Sequence, residues 1–444
     1  MDMRIYSFGG LGGLVCGIDF GIIAVAVPYI RALQLYTDLQ LGWIVGGVML
    51  GGIVASACGG HLCDKLGRRA TIRLATLCFL VSIPVICLSG ASFPVIMAGR
   101  VMQGLSCGFL SVAMPLYLAE TLPAERRGKG TAVFQLFLGI GLVLAALAGV
   151  VLSRALGAAD ADPSVVGNEA KSLAWRINFW WTLFPAILLG ASSLLVPESE
   201  VGKSVEVRDA ASLSGALLSR RYVVPFLLAV AVLTLNKLIG FGCVVPYAVM
   251  LLQKAGLSGT LGNVGDLAIK ATNLVATLVV VGLVDRVGRT RLLKVGTAGL
   301  SVALALIGAL FFAFERDWIA PSVCVGSVTL AAFLLLVFSY SFGPGVCVWL
   351  VLSELMPSRI RARGMSIALF SNQFVAWGLA SAFLPLANSC GFGVLFFVFA
   401  VFGIVYFTTV LFIPETNGLT LDQIETLFER KKENAGKDLL GRTA

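Results

Sequence analysis

Three charged signatures occur twice in this chain, in the same order and about half its length apart. Gly59 to Arg69 reads Gly-Gly-His-Leu-Cys-Asp-Lys-Leu-Gly-Arg-Arg, and Val284 to Arg289 returns it as Val-Asp-Arg-Val-Gly-Arg. Ala119 to Gly128 (Ala-Glu-Thr-Leu-Pro-Ala-Glu-Arg-Arg-Gly) returns as Ser353 to Gly364 (Ser-Glu-Leu-Met-Pro-Ser-Arg-Ile-Arg-Ala-Arg-Gly). Pro197-Glu198-Ser199 returns as Pro414-Glu415-Thr416. Long apolar stretches separate the signatures, so the repeat unit is a set of membrane spans. Two such halves can enclose a site near the bilayer midplane and expose it to either side by rocking.

Composition names the solvent. Hydrophobic residues make up 58% of 444 and charged residues 13%, and mean hydropathy is +0.93. A soluble domain carries roughly 25% charged residues. Uncharged apolar runs such as Thr131–Ser153, Val295–Phe314 and Met365–Phe412 are long enough to cross a ~30 Å hydrocarbon core. No ten-residue alternation suggests a barrel, and lipid offers free backbone groups no partners, so the spans are expected to be helical. The pattern predicts twelve, at roughly 8–30, 41–63, 70–90, 94–118, 130–153, 175–196, 222–252, 264–285, 291–314, 320–353, 364–388 and 391–413.

The net charge of +9 would suit nucleic acid if it were clustered on one surface. Instead the basic residues fall in every second connection: Lys65, Arg68, Arg69 and Arg73; Arg126, Arg127 and Lys129; Lys203, Arg208, Arg220 and Arg221; Arg286 to Lys294; Arg359, Arg361 and Arg363; and the tail. The positive-inside rule places these connections and both termini in the cytoplasm, and no nucleic-acid partner is expected. The ten cysteines are scattered without a Cys-x-x-Cys pair, as expected of small buried hydrophobes. His61, the single histidine, reads as a loop-edge residue. No nucleophile–base or metal constellation exists, so neither an enzyme, a cofactor nor a metal site is expected. No cleavable signal is read at the N-terminus, so the first span is expected to remain.

The expected units are a first six-helix bundle over 1–196, a cytoplasmic linker over 197–221 with short helices (Val207–Ser219), a second bundle over 222–413, and a tail over 414–444. Within the tail, Leu419 to Lys432 reads as a short helix capped by Thr420. Arg154 to Lys171 is expected to be the longest external loop. Gly46-Gly47 and Gly51-Gly52 would let helices approach closely. Gly343-Pro344-Gly345 in span ten, and Gly240-Phe241-Gly242 with Pro246 in span seven, predict broken helices.

With Gly99-Arg100-Val101-Met102-Gln103-Gly104 and the closing Pro414-Glu415-Thr416-Asn417-Gly418, the ordered set resembles the sugar porter branch of the major facilitator superfamily, from Gly12 to about Glu425. The resemblance implies an all-α membrane protein, twelve transmembrane helices in two pseudo-symmetric six-helix bundles, with a sugar-sized cavity between them. A monomer in the lipid bilayer is expected.

Asp19 lies about eleven residues into span one, roughly 16 Å deep at 1.5 Å per residue. An unpaired carboxylate there costs several kcal/mol, so it needs a partner or a proton. Arg100, roughly 9 Å into span four from the opposite side, has the reach to supply one. The pair is either a static packing bridge or a titratable one that takes a proton on separation and expels it on contact. Asp19 in Gly17-Ile18-Asp19-Phe20-Gly21 resembles the aspartate of proton-coupled sugar symporters, where facilitative relatives usually carry a neutral residue. The implied partners are a proton and a hexose or pentose. A uniporter, a carrier of polyols or acidic sugars, and a non-transporting sugar sensor are the alternatives, the sensor disfavoured by the short tail.

Matching motifs position by position implies Gln135, Asn273, Trp349 and Asn372 as sugar ligands, since amides orient hydroxyls and an aromatic wall stacks on the ring. Gln135 has the alternative of gluing two helices together, and Trp349 that of a core or interfacial tryptophan. Lys270, Asn273 and Thr277 share one helical face, a polar stripe expected to avoid lipid. Sugar porters usually carry two glutamines in mid-span seven and an asparagine a few residues on; here stand Asn236-Lys237 and Gly242. Lys237 either snorkels outward or faces the cavity, where it would pair with an acidic sugar or stay neutral. Asp64, Arg68, Arg69, Glu120, Arg127 and Glu198, with Asp285, Arg289, Glu354, Arg361 and Glu415, form a predicted cytoplasmic ring. In this family such charges pair across helices and between domains in the outward-open state.

Overall fold

A computed structural model describes residues 2–90, 92–123, 126–155, 167–199, 220–348 and 361–413. Twelve helical stretches among these are long and apolar enough to cross a membrane. In chain order the helices are α1 (Asp2–Ala32), α2 (Asp38–Leu66), α3 (Arg68–Cys87), α4 (Phe93–Thr121), α5 (Arg127–Ala155), α6 (Asn168–Trp180) and α7 (Leu183–Leu195). The second half has α8 (Arg220–Leu238), α9 (Phe241–Lys254), α10 (Thr260–Val287), α11 (Arg289–Glu315), α12 (Val323–Phe342), α13 (Arg361–Cys390) and α14 (Phe392–Leu411). Spans six and seven are each two helices end to end, so the fold is two sets of six spans.

The duplication is visible in the packing. In the first half α1 lies on α5, and α4 lies on α2 and α3; in the second α8 lies on α13, and α12 on α10 and α11. The halves meet through a matching exchange, α2 against α13 and α10 against α5, with α1 against α9. The predicted fold class is what forms.

Glycine sets how close these helices come. A Cβ on Gly13 or Gly17 of α1 would collide with the backbone carbonyls of Phe134 or Leu138 on α5. On α2, Gly47 and Gly51 abut α4, whereas Gly42, Gly46 and Gly52 abut Ser381, Trp377 and Gln373 of α13. One helix is thus thinned on two faces, one toward its own bundle and one toward the other.

Two breaks fall where glycine and proline predicted them. Gly240 adopts a left-handed φ of 76° between α8 and α9, a backbone conformation costly for any residue with a Cβ. Span ten breaks at Gly343, after which a helical turn resumes through Pro344 to Val348. Pro246 lies inside α9 without ending it. A third break, at Trp181-Thr182 in span six, was not predicted. Pro185 explains it, because proline has no N–H to return to the Trp181 carbonyl.

The expected loop from Arg154 to Lys171 is shorter than predicted. Arg154 belongs to α5, and Lys171 is buried in α6. His61 is an exposed residue of α2 rather than a loop edge. The linker from 200, the tail helix, Trp349, Glu354 and Glu415 lie outside the described residues, so the division at 197–221 stays our reading. Six of the ten cysteines are buried.

Gly17→Val is expected to lower stability in detergent by about 1–3 kcal/mol, the usual cost of overpacking. Gly60→Ala, where nothing lies within 4 Å, is expected to leave the thermal midpoint unchanged; paired melting curves check both.

Candidate functional site: charged pairs and amides around the interface

The two ends of the molecule differ. One, the signature face, carries the duplicated charged motifs; the other, the far face, carries the connections at 33–37, 88–92, 255–259 and 316–322. At the far face the halves are sealed. Gly42 packs against the Ser381 backbone, Trp43 lies edge-on to Trp377 at 6.0 Å, and Asn388 Nδ2 donates to Asp38 at 2.5 Å. Arg31 reaches across to the Met250 sulfur at 3.1 Å. Thr37 and Gln40 cap α2 reciprocally, holding Asp38 in its first turn.

Toward the signature face the halves part. Gly60 is eighteen residues from Gly42, five full turns at 3.6 residues each, so it lies on the same side of α2. Among the described residues nothing approaches a Cβ placed there. Gly139 of α5 still touches Leu274 of α10, yet Gln135, one turn nearer the signature face, is exposed. Among the described residues the halves therefore stand apart toward the signature face, and Gln135 is exposed there.

Asp19 and Arg100 meet in the interior of the first half. Both are essentially inaccessible, and an Arg100 nitrogen stands 3.5 Å from Asp19 Oδ1. The guanidinium is not devoted to the acid. Its Nε donates to the Ile44 carbonyl at 3.1 Å, its Nη1 donates to Gln103 Oε1 at 2.6 Å, and its plane lies 5.9 Å from the Phe179 ring. Among the described residues Asp19 receives a weak Cys107 thiol donation at 3.4 Å on Oδ2, and Oδ1 has no hydrogen bond. A buried carboxylate normally collects several donors; this one is under-supplied. Gln103 was missed as a site residue, although Arg100-x-x-Gln103 places both on one helical face.

The second half gathers amides and aromatics at its two breaks. Asn236 Nδ2 donates to the Pro344 carbonyl at 3.2 Å, and the Tyr340 hydroxyl donates to Asn236 Oδ1 at 3.4 Å. Phe241 stacks on Tyr340 with ring centres 3.6 Å apart. The broken spans seven and ten are thereby fastened to each other. Asn372 Nδ2 donates to the Leu233 carbonyl at 2.9 Å, and Asn273 Nδ2 to the Ser341 hydroxyl at 2.8 Å. In this conformation three of the predicted sugar ligands spend their amides on protein. Lys237 is half-buried at the end of α8, its carbonyl accepting from Gly240 N–H across the break at 3.0 Å. It has no ion-pair partner among the described residues.

The polar stripe on α10 extends further than predicted. Lys270 pairs with Asp266 at 2.6 Å, both buried, and donates to the Gly21 carbonyl of α1 at 3.0 Å. Asp266 was missed. Its signal was spacing, since an acid four residues before a lysine faces it on a helix.

The signature-face charges divide unevenly. Arg68 is held between Asp64 at 3.1 Å and Glu120 at 3.0 Å. Glu120 also accepts from the Ser199 hydroxyl, and Glu198 accepts from the Arg69 backbone N–H at 3.0 Å. Tyr117 donates to the Pro197 carbonyl at 2.8 Å. All these contacts join α2, α3, α4 and the end of α7, within the first half. Arg289 begins α11, while the side chains of Arg127, Asp285 and Arg361 lie outside the described residues.

A family model described as "Sugar (and other) transporter" matches residues 6–213 and again 200–428. The chain belongs to the sugar transporter family. The family member is 26% identical to the arabinose-proton symporter of Bacillus subtilis (strain 168), over 94% of this chain and 93% of that one. It is 27% identical to the glucose transporter GlcP of Staphylococcus epidermidis (strain ATCC 12228 / FDA PCI 1200), over 95% and 96%. Among solved structures, the inward-open xylose transporter XylE from E. coli superposes with a TM-score of 0.81 at 22% identity, covering 96% of this chain and 100% of that one. A structure of a D-xylose-proton symporter gives 0.80 at 23%, covering 94% and 99%. These likenesses establish the shared fold.

Gly42→Trp is expected to prop the far face open, because its side chain has no space beside Ser381. Backbone hydrogen exchange of the 33–42 and 377–390 segments is expected to rise at least tenfold; unchanged protection would contradict the seal.

Proposed function

We propose that this sugar transporter is a proton-coupled monosaccharide symporter working by alternating access, with Asp19 as the proton acceptor. The observation that carries the reading is the state of Asp19: buried, 3.5 Å from a guanidinium engaged elsewhere, with one oxygen lacking any hydrogen bond among the described residues. Burying a charged carboxylate costs several kcal/mol unless it is paired and hydrogen-bonded. Its balance is therefore set by how close Arg100 stands. When Arg100, held by Gln103 and Ile44, moves farther from Asp19, a proton on the carboxylate replaces the lost positive charge. When it returns, the proton is expelled. A relative named an arabinose-proton symporter supports proton coupling in this chain.

In this reading the signature face is cytoplasmic, because its connections hold the basic residues, and both termini lie there in the cell membrane. The far-face seal then makes this an inward-facing state. The ring pairs found within the first half fit a network whose contacts between halves are broken on inward opening. Each exposed pair contributes only ~0–1 kcal/mol, but several together bias two states that differ by a few kcal/mol.

We assign the sugar to a cleft between the halves lined by Gln135, against Asn236, Asn273, Asn372 and Trp349. Asn236 and Asn372 exchange a backbone carbonyl for a sugar hydroxyl as the broken spans shift. Such an exchange of acceptors costs little, since one hydrogen bond replaces another. Lys237 beside Asn236 favours a second reading of substrate, a sugar that bears a carboxylate. The chain is expected to act as a monomer.

The test is radiolabelled pentose and hexose uptake into proteoliposomes with and without an imposed pH gradient. The wild type is expected to accumulate sugar only with the gradient. Asp19→Asn is expected to keep equilibrium exchange while losing gradient-driven accumulation; a mutant that still concentrates sugar removes Asp19 from coupling. Lys237→Gln is expected to change the ranking of neutral against acidic sugars in competition, and an unchanged ranking removes Lys237 from recognition.

A further inference from the structure

Asp266 and Lys270 are a second buried ionisable pair, and the proton-binding reading makes no use of them. Three hydrogen bonds described above join the halves: Arg31 to Met250, Asn388 to Asp38, and Lys270 to Gly21. The first is part-buried and the second exposed, whereas Lys270 is 2% exposed and Asp266 is inaccessible. Lys270 Nζ divides its donors between Asp266 Oδ2 on its own helix and the Gly21 carbonyl on α1. Gly21 is two residues from Asp19 and packs against Ala145 of α5. Asn273 lies one turn from Lys270 on the same face of α10. The ammonium therefore sits where the Asp19-bearing helix of one half meets the amide-bearing helix of the other.

We propose that Lys270, with Asp266 as its counter-ion, is a positioning residue that governs far-face closure. It ties α10 to α1 only while the far face is sealed. Separation of the halves there replaces the Gly21 carbonyl with water. Closure then requires the pair to be complete, because removing one partner leaves an uncompensated charge in a dry interface. Removing both leaves nothing charged to desolvate, and the interface closes on neutral side chains. The same contact links movement of the α1 turn around Asp19 to the helix carrying Asn273. The proposal rests on alternating access and is independent of whether protons drive it.

The experiment is hydrogen–deuterium exchange of the full chain in lipid nanodiscs, without substrate, for the wild type, Asp266→Asn, Lys270→Met, the double variant and Lys270→Arg. Each single neutralisation is expected to raise exchange at 28–42 and 377–390 at least tenfold and to lower it at 56–66. The double variant and Lys270→Arg are expected to stay within threefold of wild type. Wild-type protection in both single variants would overturn the proposal, as would equal deprotection in singles and double, which would indicate lost packing alone. Where a single variant fails to fold, a folded, far-face-protected double variant supports charge balance, and failure of both overturns it. Because the readout needs no sugar or pH gradient, the result stands apart from the uptake assay for Asp19.

Discussion

Charge in a low-dielectric interior is the constraint on which the rest of this molecule depends. Asp19, Arg100, Asp266 and Lys270 are all at most 2% exposed by side chain. A single unpaired charge at such depth is costly enough to compel a partner, a proton or a route to water. Every state the two bundles can adopt must therefore settle these four charges. One pair lies inside the first half, while the other lies inside the second but reaches out of it to the Gly21 carbonyl. The two pairs approach the same stretch of α1 from opposite sides. Relative motion of the halves changes what else the members of each pair can touch.

The helices that carry these charges are free to move because their contacts are of two kinds. Within a half, glycines such as Gly13, Gly17, Gly47 and Gly51 bring backbones so close that a methyl group would clash, which makes each bundle a rigid unit. Between halves, the far-face contacts are mixed: glycines of α2 packed closely on α13, one aromatic pair and a few polar bonds. Rigid bundles joined by such a seam tilt more easily than they deform. The breaks at Gly240 and Gly343 add a local freedom inside the second half. Asn236, Tyr340 and Phe241 restrain it by fastening the two breaks together.

Much of this was legible in the sequence, for identifiable reasons. The duplication was carried by charged residues at bundle ends, where charge is conspicuous against apolar spans. Asp19 and Arg100 stood out because each contradicts the hydropathy of its own span. Asp266 did not, because it lies two residues inside a predicted span boundary and reads as a polar end. Gln103 was hidden within a motif used for recognition rather than for its chemistry. Phe241 and Tyr340 looked like any aromatic residue in an apolar span; only the fold brings their rings to stacking distance. The span-six break was missed because Pro185 acts on a carbonyl four residues earlier, with no glycine to mark the place.

The amide positions show why residue type alone identifies a sugar site incompletely. Asn236, Asn273 and Asn372 have the chemistry that orients hydroxyls, and in this conformation each has already satisfied its donor on protein. An unsatisfied buried amide would be costly in the empty transporter, so a ligand-binding amide in a closed interior needs an alternative acceptor close by. Pro344 and Leu233 supply carbonyls, and Ser341 a hydroxyl. Two of these acceptors, Pro344 and Ser341, flank the break at Gly343, which brings Asn236 and Asn273 to it. In the proposed reading, broken helices and sugar-binding amides occur together because a break furnishes an acceptor that the sugar later replaces.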